Sequence, residues 1–344
     1  MRSLLRADPA IFLVGCHSDR FVLKQSPAQR KFLLQPSDSQ EGNFDSFDQA
    51  LRAVVASTQI DLVIPGNDRD ARVLAEMNER TALSCSTFLP ATKTIALCQD
   101  KYVLNLRLRD QGIPVARTHP VTDYVSLVEA WRALAPRELA WCRIRRGAAS
   151  RGATMVRDTE QAWNWISYWH TMRDVPVEDF TLSEFLPGRD YNVQGLWFEG
   201  RLVLIKMCER LSYLNADQHP SGMASTPALA KTVWIPAAIE TCVTAIRAID
   251  HGAHGVFNFD LKENEAGVPC ITEINAGRFA MITNLYDLAG RHNMAGTYAR
   301  LACGEAVTVD DPYDNPGEYY LVRELDTVPS IFEADELFEG ISRT

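Results

Sequence analysis

Apolar and polar positions alternate most regularly in the stretch GVFNFDLKENEAGVPCITEINAGRF, residues 255–279. Residues 256–263 and 268–275 each switch face from one residue to the next, and residues 264–267 are turn formers, so the pattern predicts a β-hairpin. If Glu263 and Val268 close the loop, Asn258 faces Glu273 and Asp260 faces Ile271, with Asn275 beyond on the same side. Phe257 then meets Ile274 and Leu261 meets Cys270 on the other side. One face is apolar, and the other carries Asp260, Glu273 and Asn275.

Ahead of this hairpin, residues 11–14 and 32–34 predict buried strands and residues 47–57 a helix. Residues 61–65 (DLVIP) predict a strand ending in the turn Gly66-Asn67-Asp68, and residues 70–80 a second helix. Strands alternating with helices predict a parallel α/β sheet. Asp100-Lys101 opens a further helix that ends at Gly112. Residues 140–144 predict a strand, residues 145–152 (RRGAASRG) a small-residue loop, and residues 153–156 a returning strand. Residues 159–172 hold three tryptophans, but Ala162, Trp165, Ile166 and Trp169 share one helical face, which predicts core packing rather than a ligand site. A strand over 181–186 leads to a hairpin of 191–198 with 201–208. Beyond lie a polar loop over 209–227, able to move and containing Ser221-Gly222, a helix over 232–251, a helix from about 281 to 303, and an α/β tail to 344.

Composition narrows the function classes. A chain of 344 residues predicts two or three subdomains, and 46% hydrophobic with 23% charged residues is an ordinary globular balance. The net charge of −9, with no basic stripe, argues against nucleic acid as a partner. No apolar run approaches the ~18 residues of a membrane helix, so no membrane role is expected. The eight cysteines are scattered without a C-x-x-C pair and read as reduced core thiols of a cytoplasmic protein.

Two carboxylates and an amide oxygen on one rigid hairpin face form a hard-oxygen set of the kind Mg²⁺ accepts when nucleotide phosphates complete its shell. By spacing alone the same face could equally be a solvated one. The pattern D, then E-x-N thirteen residues on, resembles the metal-binding core of the ATP-grasp superfamily, whose members include D-alanine:D-alanine ligase, biotin carboxylase and the carbamoyl-phosphate synthase large chain. Other stretches resemble that superfamily in the same order, closely over residues 95–305 and loosely over 11–90.

The resemblance implies an ATP-grasp fold, α/β and α+β, with a reduced N-terminal Rossmann-like domain over 1–94. It further implies a first ATP-grasp subdomain with a phosphate lid over 95–178, a second with the metal hairpin over 179–310, and an α/β tail over 311–344. The usual opening strand and glycine loop are not seen, because residues 11–14 already look like a second strand; either the domain is reduced or the chain begins within a longer frame. ATP and Mg²⁺ are the implied cofactors, with Asp260, Glu273 and Asn275 on the metal. Lys101 and Arg143 would meet the phosphates, covered by the small-residue loop with Ser150, Arg151 and Gly152. Ile144 stands where a proline is usual and Ala149 where a glycine is common. In SEFLPGRDYNV, Glu184, Phe185 and Leu186 would flank adenine, and Asp190, in place of the usual glutamate, would contact the ribose. Arg278, in INAGR rather than NPR, would contact the carboxylate or acyl phosphate.

The implied activity is an ADP-forming, C–N bond-forming ligase. It would activate a small-molecule carboxylate as an acyl phosphate for attack by an amine, with a homodimer left open. Phosphorylation removes the charge and supplies the leaving group, so positioning and charge neutralisation suffice and no protein nucleophile is required. A carbamoyl-phosphate synthase-like enzyme using bicarbonate and ammonia, and a non-catalytic Mg-ATP-binding protein, are the alternatives. A dinucleotide oxidoreductase is disfavoured because no G-x-G-x-x-G follows a strand.

Overall fold

Helix α1 (Arg2–Ala7) precedes strand β1 (Val14–His17), α2 (Arg20–Gln25), β2 (Arg30–Leu33), α3 (Asn43–Thr58), β3 (Leu62–Val63), α4 (Asp68–Arg80) and β4 (Ser86–Thr87). The computed structural model describes residues 1–35, 43–147, 150–219, 222, 224, 226–314, 316–324 and 330–333. β1 pairs parallel with β2, and β3 with β4, so the parallel pairing expected from the alternation of strands and helices is present, but in two separate two-stranded sheets rather than one. The first strand starts at Val14 rather than at residue 11. A six-residue helix capped by Asp19, whose carboxylate accepts the Phe21 N–H at 2.7 Å, carries the chain to β2. The described N-terminal part thus holds a strand, a short helix and a parallel strand, with Ser18 and Asp19 between β1 and α2. Leu51, Val54 and Val55 of α3 meet Val73, Leu74 and Met77 of α4 in a small core of their own.

Helices α5 (Thr92–Gln99) and α6 (Lys101–Asp110) lead to β5 (Thr118–Val121), α7 (Tyr124–Leu134), β6 (Ala140–Ile144), β7 (Thr154–Val156), α8 (Thr159–Arg173) and β8 (Phe180–Glu184). Their four strands form an antiparallel sheet in the order β5-β8-β6-β7. α7 and α8 bury Leu127, Ala130, Ala162 and Ile166 against it, and Trp163, Trp165 and Trp169 pack on the same cluster, as core residues should.

The remaining elements are β9 (Asp190–Phe198), β10 (Arg201–Tyr213), β11 (Pro227–Thr232), α9 (Pro236–Ile249), β12 (Gly255–Glu263), β13 (Pro269–Ala276), α10 (Thr283–Ala289), α11 (Met294–Ala302), β14 (Tyr319–Val322) and β15 (Ser330–Glu333). They build a seven-stranded sheet in the order β13-β12-β9-β10-β11-β14-β15, so the strands of the expected tail extend this sheet. Residues 334–344 lie outside the described residues. On one face α5, α6 and α9 bury Val193, Phe257, Phe259 and Ile274 beneath Ile95, Leu104, Leu108, Ile239 and Ile246. α10 and α11 cover part of the other face with Leu285, Tyr286, Met294 and Tyr298.

Three expectations change. β10 runs on to Tyr213, so Arg210 belongs to a strand and not to the predicted polar loop, while Ser221 of that loop lies outside the described residues. The single helix over 281–303 is two helices. They break at Gly290, where a side chain would run into the Lys206 ammonium, which is buried on Asp287, Asp314 and the Tyr286 and His292 carbonyls. All eight cysteines are free thiols, but Cys16 and Cys303 are exposed rather than in the core.

Candidate functional site

The polar face of the sheet is laid out in cross-strand rungs. Asn192, Asp260 and Glu273 stand side by side on β9, β12 and β13, and Gln194, Asn258 and Asn275 form the next rung. The hairpin register differs from the expected one: Asp260 pairs with Glu273, not Ile271, and Asn258 with Asn275. Beyond the bulge the shift is by two residues, so Glu273 and Asn275 keep their face; between bulge and turn it is by one, so Ile271 meets Leu261 on the apolar face and Cys270 pairs with Lys262. The causes are a longer turn, in which the Asn264 side chain accepts the Ala266 and Val268 N–H groups at 3.0 Å each, and a bulge that leaves Thr272 unpaired between Leu261 and Asp260 partners. The freed Thr272 carbonyl accepts a hydrogen bond from Arg143 Nη2 at 2.9 Å.

These rungs form one wall of a cavity of about 370 Å³. It brings together Lys101, Arg143, Ser150, Arg151, Glu184, Phe185, Leu186, Asp190, Asp260, Glu273, Asn275 and Arg278. Gly152 is not among its lining residues; its carbonyl accepts the Trp165 indole N–H at 2.9 Å, and Ile144 fills the space a side chain there would need. A second, open hollow of about 470 Å³ against α8 carries no carboxylate or cationic side chain.

Lys101 begins α6 and is almost buried; its Nζ lies 2.6 Å from the Gly147 carbonyl and 3.5 Å from Glu273 Oε2. Burial lowers the Arg143 pKa, and Glu273 and Asp260 act against that. Its Nε is buried with no hydrogen-bond partner among the described residues, a donor left over for an anion. The arginines of the loop all have partners. Arg145 binds Asp100 through Nε at 3.0 Å and Nη2 at 2.6 Å, Arg146 reaches the same carboxylate at 2.8 Å, and Arg151 lies over the Trp169 ring. Burial works against the Asp100 charge, yet the Arg145 hydrogen bonds and the helix-capping Val103 N–H hold its pKa below the usual carboxylate range. Ala148 and Ala149 lie outside the described residues.

Several groups that order the site were not singled out by the sequence. Arg210 donates from Nε to Asp190 Oδ1 at 2.6 Å and from Nη1 to Asp260 Oδ1 at 2.8 Å. The Tyr213 hydroxyl donates to Asp190 Oδ2 at 2.6 Å, so each oxygen of the expected ribose contact already accepts one hydrogen bond. Asn192 Nδ2 bridges Asn258 Oδ1 at 3.0 Å and Asp260 Oδ1 at 3.1 Å. Glu184 is held by the Arg117 backbone N–H at 2.8 Å and its Nε at 2.9 Å, and Phe185 and Leu186 line the cavity beside it. Arg278 binds Asp68 Oδ1 at 2.6 Å, which brings the Gly66-Asn67-Asp68 turn of the N-terminal part into the same cavity. The only sequence signal for these residues was the turn after DLVIP and the period-two continuation Lys206, Cys208, Arg210.

Among the described residues no cluster of three or more His, Cys, Asp or Glu side chains could hold a metal ion. The donor set is two carboxylates plus an amide. Among the described residues Asp260 Oδ2 takes no hydrogen bond and the Glu273 carboxylate is ion-paired only with Lys101 at 3.5 Å, so oxygen lone pairs remain open beside the cavity. So small a protein donor set suits Mg²⁺, which keeps waters and shares phosphate oxygens, better than a cation needing a full protein cage.

Two α+β units around a cavity, with a short α/β unit ahead of them, are also the architecture of known structures. The biotin carboxylase domain of 2-oxoglutarate carboxylase from Hydrogenobacter thermophilus, in complex with MgADP, ADP and bicarbonate, superposes with a TM-score of 0.71 at 14% identity, over 93% of this chain and 71% of that one. The chain has the ATP-grasp fold. N5-carboxyaminoimidazole synthetase from Staphylococcus aureus, complexed with ADP, gives 0.70 at 12% identity, over 94% and 79%. L-amino acid ligase from Bacillus licheniformis gives 0.67 at 12%, over 92% and 74%. No family model and no curated protein sequence matches the chain. Among the described residues no helix is long and apolar enough to cross a membrane.

Proposed function

We propose that the protein is an ADP-forming ligase that uses Mg-ATP to activate a carboxylate as an acyl phosphate, which an amine then attacks. The observation that carries this reading is the convergence of the Asp260–Glu273–Asn275 wall with Lys101 and the partnerless Arg143 Nε in one cavity. Asp260, Glu273 and Asn275 would hold Mg²⁺, which would supply neutralisation of the phosphate charge. Lys101 and Arg143 bind the phosphates, with Ser150 and Arg151 above them. The backbone of residues 184–186 lies against adenine. Asp190, oriented by Arg210 and Tyr213, contacts the ribose through its remaining lone pairs.

A substrate carboxylate oxygen attacks the γ-phosphorus, the bond to the β-phosphate oxygen breaks, and ADP leaves. The amine lone pair then attacks the acyl carbon, phosphate departs with the C–O bond pair, and the ammonium proton passes to solvent. Arg278 orients the carboxylate at the far end of the cavity. Chemistry of this kind fits neighbours that include an amino acid ligase and a carboxylase domain holding bicarbonate.

The test is ADP release over a panel of carboxylic acids, bicarbonate included, each with and without amines. ADP formation that requires both an acid and an amine supports the ligase. Turnover with bicarbonate and ammonia alone assigns the carbamoyl-phosphate synthase-like reaction, and Mg-ATP binding without ADP release across the panel overturns the catalytic reading.

A further inference from the structure

Arg210 sits between the acid on the nucleotide side and the acid on the metal side. Its guanidinium is shared among Asp190 Oδ1, Asp260 Oδ1 and the Tyr191 carbonyl at 3.3 Å, and its side chain is only 10% exposed. β10, β9 and β12 set this arrangement, since Arg210 pairs with Asp190 and Asp190 with Lys262 across the strands. The carboxylates Asp190, Asp260 and Glu273 are thereby matched by Lys101, Arg143, Arg210 and Lys262, the last 4.0 Å from Asp190. With cations already in the majority, a free divalent ion at the open Asp260 Oδ2 would sit against the Arg210 guanidinium held on Oδ1 and would leave a large uncompensated positive charge. A triphosphate reverses both terms: it brings negative charge and gives the guanidinium fork other oxygens to bind.

We propose that Arg210 is the internal counter-ion that excludes free divalent metal from Asp260 until nucleotide phosphates arrive, making metal binding conditional on nucleotide. The proposal rests on the Mg-ATP reading above. Arg210 is here a positioning residue for the metal site. A purely structural arginine would weaken metal binding when removed, whereas an excluding counter-ion strengthens it.

Mn²⁺ is the probe, with its free concentration followed by electron paramagnetic resonance in the full-length protein. Without nucleotide the wild type should bind Mn²⁺ weakly. Arg210→Met and Arg210→Gln should each bind it about tenfold more tightly or better, as loss of a unit charge beside the ion dictates. Arg210→Lys, which keeps the charge, should stay near the wild type, and adding Asp260→Asn to Arg210→Met should erase the gain. Unchanged or weaker Mn²⁺ binding by folded Arg210→Met and Arg210→Gln overturns the proposal while leaving the Mg-ATP reading intact. Tight Mn²⁺ binding by the wild type without nucleotide overturns it with no variant needed. Failure of the wild type to bind Mn²⁺ even with saturating ADP overturns both.

Discussion

At the scale of single residues, Asp100 and Glu273 are acids put to opposite uses. Asp100 is saturated: it caps α6 through the Tyr102 and Val103 N–H groups and takes Arg145 and Arg146 on the same carboxylate. Asparagine caps a helix as well as aspartate does, so Asp100→Asn isolates the charge. It should cost about 1–3 kcal/mol at neutral pH, the range for hydrogen bonds to a charged group. Because the folded-state pKa is depressed, this contribution is complete above the ordinary value of 3.8 and is lost as pH falls through the lowered one. Thermal melts of wild type and variant should therefore differ at pH 7 and converge in acid; a gap that persists at low pH would show that the charge is not its source. Glu273, by contrast, has open lone pairs, and Glu273→Gln keeps its volume. ADP formation should fall about a hundredfold or more with the melting temperature nearly unchanged, and wild-type turnover would remove Glu273 from the metal set.

At the scale of elements, the polar face of β12 and β13 was legible because period-two alternation survives any even shift in register. The register itself was not, since it depends on the Asn264 side chain holding the turn and on the Thr272 bulge, which breaks the alternation and turns Ile271 to the apolar face; the sequence pattern announces neither. β10 past Cys208 was missed for a related reason. Where a strand lines a polar cavity both of its faces can be polar, and the hydrophobic signal for a strand fades. The bulge joins the two sheets at the site, for Arg143 leaves β6 of the smaller sheet and binds the Thr272 carbonyl of the larger. Arg143→Met removes that tie and the cation together and should lower ADP formation by about a hundredfold. Arg143→Lys restores the charge without the fork and should recover only part of it. Full recovery by lysine in steady-state assays would mean that only the charge matters and that the bulge contact is incidental.

At the scale of the whole molecule, the cavity draws on all three parts of the chain, and the Arg278–Asp68 pair is where the N-terminal part enters. These residues lie 210 apart in the sequence, so no spacing could have announced the pair. The sequence showed Arg278 as a cation after the metal hairpin and Asp68 as a turn residue, and folding makes each the other's counter-ion. The partly buried pair fixes the guanidinium through Nε, as burial disfavours its charge and Asp68 restores it. In the proposed reaction Arg278 would therefore meet an incoming carboxylate as an oriented donor rather than a free charge. Arg278→Met should raise KM for the carboxylate about tenfold or more, roughly 1.4 kcal/mol or greater, and leave KM for ATP little changed, because the interaction is lost at one end of the cavity only. Asp68→Asn keeps the cation but loosens its aim, and should raise the same KM by less. Equal increases for acid and ATP in both variants would show that the pair only docks the N-terminal part onto the hairpin, and the acceptor contact would then have to be sought elsewhere in the cavity.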